Sequence, residues 1–119
     1  MIKGSCHCGD VTFSVLRKPE WLTECNCSIC RRIGAHWAHF AAKDVEISAA
    51  PDSTIAYVQG DKLLAMHTCK QCGCTPYWVG LQPDENSRMA VNFRMCAPGD
   101  IDDIKLRHFD GADTWQFLD

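Results

Sequence analysis

No stretch of this 119-residue chain approaches the roughly 20 consecutive apolar residues that a membrane-spanning helix needs. It also lacks a basic excess: 12 lysines and arginines stand against 15 aspartates and glutamates, a formal charge of −3. Thiolates on bound metal would deepen that charge. A nucleic-acid backbone demands the opposite sign, so the finger-like cysteine spacings described below do not indicate DNA or RNA as a partner. There is no apolar stripe of helical period 12 residues long, no repeated unit and no low-complexity tract. Met1-Ile2-Lys3-Gly4-Ser5 runs directly into a cysteine pair, so no signal peptide is expected. With an odd number of cysteines, nine, this favours a reducing compartment, and the cytoplasm is the expected location.

What the chain does contain is short β patterning. Val11-Thr12-Phe13-Ser14-Val15 alternates apolar and polar residues with the period of a half-buried strand. Further strands are expected over 36–41, 45–47, 54–58, 63–68, 77–79, 89–94 and 105–109. Turn punctuation separates them at Pro19, Pro51-Asp52-Ser53, Gly60-Asp61, 83–87 and Pro98-Gly99-Asp100. The best helical turn is 28–33, with Ser28 as its cap and Gly34 as its terminator. The expectation is an all-β or β-rich fold of small antiparallel sheets, with little helix and metal-bearing loops between strands. The length and the 46% hydrophobic content suit one domain over residues 1–119 with an ordinary core.

Seven of the nine cysteines fall into three clusters: Cys6 and Cys8; Cys25, Cys27 and Cys30; and Cys69 and Cys72. Thiols one or two residues apart are poor disulfide partners but readily share one metal ion, with Zn–S bonds of about 2.3 Å. Cys6, Cys8, Cys69 and Cys72 make a closed four-sulfur site whose expected occupant is structural zinc. The alternatives are an iron–sulfur centre or unrelated buried cysteines. Gly9 and Gly73 follow the two pairs and allow the chain to turn around an ion.

Cys25, Cys27 and Cys30 offer only three sulfurs. A zinc held there keeps one position for an exchanging ligand, and a small thiol would bind it as the thiolate. Cys74 or Cys96 could instead close the site, or the cluster could stay free of metal. Arg31 and Arg32 are candidate partners for a substrate carboxylate. His36 and His39 are candidate proton shuttles or simply hydrogen-bonded packing residues.

The chain resembles the glutathione-dependent formaldehyde-activating enzyme family, whose broader group includes centromere protein V. The resemblance rests on Gly4-Ser5-Cys6-His7-Cys8-Gly9, on Cys25-Asn26-Cys27-Ser28-Ile29-Cys30-Arg31-Arg32, and on Cys69-Lys70-Gln71-Cys72-Gly73. Val91-Asn92-Phe93 and His108-Phe109-Asp110-Gly111-Ala112 add to it, while Asn26 stands where many members carry histidine. The resemblance implies a β-tent fold, a structural zinc on Cys6, Cys8, Cys69 and Cys72, and a catalytic zinc on Cys25, Cys27 and Cys30. It further implies glutathione as the small-molecule partner and a carbon–sulfur lyase activity that forms or reverses the glutathione–formaldehyde adduct. The competing readings are a zinc-stabilised binding module, which a fourth protein ligand on the Cys25 cluster would favour, and a redox sensor whose thiols oxidise when zinc leaves.

Overall fold

A computed structural model describes residues 1–119, and it is β-rich. Ten strands follow one another as β1 (Ile2–Ser5), β2 (Val11–Val15), β3 (Trp21–Cys25), β4 (Trp37–Ala41), β5 (Val45–Ala49), β6 (Thr54–Val58), β7 (Leu64–Cys69), β8 (Tyr77–Gly80), β9 (Arg88–Asn92) and β10 (Lys105–Phe109). Two short helices interrupt them, α1 (Ser28–Ile33) and α2 (Pro98–Ile101). The smaller sheet has the order β1-β2-β5 and the larger β10-β3-β4-β9-β8-β7-β6. All pairs are antiparallel except β3 with β10, which run parallel in the register Trp21↔Lys105 to Cys25↔Phe109. That pair departs from the purely antiparallel expectation. A parallel pairing needs a long crossover, and here most of the chain intervenes.

Alternation along the strands explains how the layers stack. Phe13 and Val15 point from β2 into the space between the sheets, where they meet Ala38 and Phe40 of β4, Met89 and Val91 of β9, and Phe93. Phe13 stacks on Phe93 at 6.1 Å. Gly4 on β1 has no side chain because the Phe13 ring lies directly over it, so any Cβ there would collide with the ring. The intervening residues Trp37 and Ala90 face the other side of the large sheet and pack with Cys30, Ala35 and Met66. One face of the large sheet is therefore covered by the small sheet and the other by α1 and its cysteines.

Several boundaries differ from the sequence expectation, each for a physical reason. Strands β1 and β3 were not expected: β1 is four residues held by pairing with β2, and β3 buries Leu22 and Thr23 in succession, which breaks the alternation. Strand β9 ends at Asn92 rather than at residue 94, because the Asn92 side chain accepts the Arg94 N–H and turns the chain into a 3₁₀ turn over Phe93–Met95. Strand β4 begins at Trp37, leaving His36 just ahead of it. Gly34 ends α1 in the left-handed conformation, as expected, with φ of 72°. Its cap is Cys27 rather than Ser28, since the Cys27 sulfur accepts the Cys30 N–H at 3.4 Å.

His39 on β4 gives the fold a pH dependence. Desolvation first, then the Arg88 guanidinium, pulls its pKa down to about 4, and its ring packs against Trp78. The unfolded chain takes up this proton near pH 6.5. The stabilising preference for neutral His39 is therefore complete above about pH 6.5 and is lost as pH falls toward 4, a change of at most about 3 kcal/mol. Urea titrations from pH 7 to 4.5 should show this decline, and His39→Gln should make it shallower.

Candidate metal centres and the adjoining pocket

The four cysteines of the first cluster, Cys6, Cys8, Cys69 and Cys72, converge from the two sheets. Cys6 and Cys8 lie in the turn after β1, Cys69 ends β7, and Cys72 lies in the turn beyond it. Their four sulfurs all lie within 4.8 Å of one another, with Cys6–Cys8 at 3.7 Å and Cys8–Cys69 at 3.6 Å. Sulfurs on a tetrahedral zinc with 2.3 Å bonds sit roughly 3.8 Å apart, so the donor set already has the size of the ion. Both turns need a positive φ, 90° at Gly9 and 80° at Gly73, which glycine adopts without strain. Backbone N–H groups complete the cradle. Val11 donates to the Cys6 sulfur at 3.3 Å, and those of Cys74 and Cys8 hold the Cys72 thiol down to about 5.

The second cluster is built where β3 passes into α1. Cys25 ends the strand, Cys27 caps the helix and Cys30 lies in its first turn, and the three sulfurs lie within 4.8 Å of one another. The Trp37 indole N–H donates to the Cys30 sulfur at 3.4 Å. The Cys30 thiol first, and then N–H groups of Cys27 and Gly111, hold Cys25 down to about 6, whereas Cys30 is pushed up by its bond to Cys25 and by burial. A thiolate sulfur among N–H donors is the kind of ligand a divalent ion of borderline softness takes. Both clusters could thus hold metal ions.

No fourth protein donor joins the second cluster. Cys96 is buried in the core between the sheets, and Cys74 packs beside Cys6 and Cys69 at the other site. Neither closes the three-sulfur set. What covers it is backbone. The Asn26 amide donates to Asp110 at 3.0 Å, and its oxygen accepts the Ala112 N–H at 3.0 Å, so the segment after β10 is pinned across the cysteines.

A cavity of about 660 Å³ opens beside this cluster, and Cys25 and Cys30 form part of its wall. Arg31 lines it; Arg32 does not, and its guanidinium donates to the Ser28 carbonyl of its own helix at 2.8 Å. His36 lines the cavity, and His39 lies away from it against Trp78. Sequence reasoning missed Glu24, Arg94, His108 and Asp119, all of which reach the same space. The place of Glu24 beside Cys25 was a usable signal. Arg94, His108 and Asp119 are distant in the chain, and only the strand order brings them there. Neither Arg31 nor Arg94 has a carboxylate within ion-pair distance, whereas His108 is bonded to Asp119 at 2.7 Å. That partner, ahead of Glu24, raises the His108 pKa.

A Halomonas elongata protein described as a putative glutathione-dependent formaldehyde-activating enzyme is 32% identical over 88 residues, which are 66% of this chain and 55% of that protein. The chain thus matches little more than half the length of that relative. A crystal structure of a Rhodobacter sphaeroides protein superposes with a TM-score of 0.70 over 88% of this chain and 99% of that one, at 24% identity, and so shares the fold. Residues 1–109, which contain both cysteine clusters, match the family model described as glutathione-dependent formaldehyde-activating enzyme. The chain belongs to that family.

Proposed function

We propose that this protein is a zinc-dependent carbon–sulfur lyase that makes or breaks the adduct of a small, glutathione-like thiol with an aldehyde such as formaldehyde. The observation that carries this reading is a set of three thiols with no fourth donor from the chain, two of which, Cys25 and Cys30, stand in the wall of a 660 Å³ cavity. Zinc held by Cys25, Cys27 and Cys30 would supply an open coordination position at which a thiol binds as the nucleophilic thiolate. The chain's own residues do the rest. Arg31, at the cavity wall without a carboxylate partner, holds a carboxylate of the incoming thiol and so orients its sulfur. Arg32, engaged with its own helix, has a smaller part in binding. Cys6, Cys8, Cys69 and Cys72 hold a second, structural zinc that ties the sheets together. The nine free cysteines suit a reducing setting, and we place the protein in the cytoplasm as one domain.

Zinc-edge X-ray absorption of the zinc-loaded protein tests the reading. With sites of four and three sulfurs, added glutathione should raise the mean count from about 3.5 to about 4 sulfurs per zinc. A count that glutathione leaves unchanged would argue against thiol binding at the second ion.

A further inference from the structure

We propose that His36 is the proton-transfer residue of this pocket, oriented by Glu24 and seated by the buried amide of Asn92. This deepens the thiol–aldehyde reading and rests on it. The supporting geometry lies outside the cysteine clusters. His36 Nε2 is 2.9 Å from a Glu24 carboxylate oxygen, and its side chain is 18% exposed. A carboxylate only accepts, so Nε2 donates to Glu24, and in the neutral ring Nδ1 then holds the lone pair. Nδ1 makes no hydrogen bond within the protein, and His36 lines the cavity. The backbone on either side of the ring is fixed. The His36 N–H donates to Asn92 Oδ1 at 3.1 Å, and the His36 carbonyl accepts the Phe93 N–H at 2.9 Å. Asn92 is 2% exposed and also bonds the Thr75 carbonyl and the Arg94 N–H. One buried amide therefore sets the positions of both His36 and Arg94 at the cavity. Such prepositioning is what proton transfer within hydrogen-bond reach requires.

The charged groups facing the imidazole are Glu24 from β3 and the Arg94 guanidinium, 3.5 Å from Nε2. Beyond Glu24 stands His108, 3.9 Å from the other carboxylate oxygen. The chemistry balances on a single proton. Adduct formation joins the thiol sulfur to the aldehyde carbon, breaks the carbonyl π bond, and moves one proton from sulfur to oxygen. His36 accepts that proton at Nδ1 and returns it to the new hydroxyl, ending neutral as it began. The reverse reaction takes the hydroxyl proton first and expels the thiol.

The test measures exchange between free glutathione plus formaldehyde and their adduct by NMR exchange spectroscopy, using zinc-loaded protein, alongside metal analysis. His36→Gln should lower the maximal exchange rate by about 10²- to 10⁴-fold, with apparent thiol affinity within threefold and both zinc equivalents kept. Its rate–pH profile should lose the acidic limb, and added imidazole should partly restore His36→Ala. Glu24→Gln, a milder change, should retain the fold and both zinc equivalents but lower the maximal rate by about tenfold with thiol affinity unchanged. An active wild type with either His36→Gln or Glu24→Gln within threefold of its maximal rate would overturn the role of His36 and spare the parent reading. A wild type that does not accelerate exchange would overturn both.

Discussion

Cys69→Ser is expected to abolish the cooperative thermal transition of the protein and to remove one equivalent of zinc. Cys69 ends β7 in the large sheet and is 1% exposed, while its partners Cys6 and Cys8 follow β1 in the small sheet. An ion at this point closes a loop of about 60 residues between the two layers. A structural zinc site contributes on the order of 10 kcal/mol or more to folding, against a total stability of about 5–15 kcal/mol for a typical domain. Serine would lose one metal bond and leave a hydroxyl in a buried apolar and thiol environment. Cys27→Ser should differ, because its cluster lies on the outer face of the large sheet beside an open cavity. That variant should also lose one equivalent of zinc but keep its melting transition within a few degrees. Circular-dichroism melting with metal analysis separates the two, and equal destabilisation by both variants would contradict the division into structural and functional sites.

Gly111→Ala should empty the second site while leaving the fold in place. A Cβ at residue 111 would lie 2.5 Å from the Cys25 sulfur and 3.3 Å from Cys27 Cβ, well inside contact distance. The backbone of this segment cannot easily retreat, because Asn26 bonds to both Asp110 and Ala112 on either side of it. The Cys25 sulfur must then leave its position among the other two thiols. Disturbing the groups around a metal's ligands typically costs 10- to 100-fold in affinity, and displacing a ligand itself costs more. Competition with a chromogenic chelator should find one zinc weakened by at least that factor and the other unchanged. Tight retention of both ions would mean that the segment over the cluster yields more readily than its hydrogen bonds indicate.

The two clusters were legible in the sequence because cysteine pairs one or two residues apart declare their chemistry locally. Gly9, Gly73 and Gly34 were legible for a similar reason, since each sits where a turn needs a positive φ. Most strands were legible as well, because β2 and its like alternate between core and solvent. The reading failed where burial is two-sided or pairing alone defines the strand, as in β3 and β1. It also failed at the Ser28 cap, because a cysteine sulfur does the capping at Cys27.

By itself, the sequence determined the sulfur count and the three local clusters, since both follow from residue identity and short spacing; that they assemble as four and three is decided in the fold. The tertiary structure alone decided that Cys74 and Cys96 stay away from the second cluster and that His36, Glu24, Arg94 and His108 gather beside it. Those residues lie on segments joined only by strand order. The parallel pairing of β3 with β10 brings His108 level with Glu24, and the buried Asn92 fixes His36 and Arg94 at the same wall. A pocket of this kind depends on long-range register, which no local pattern of residues encodes.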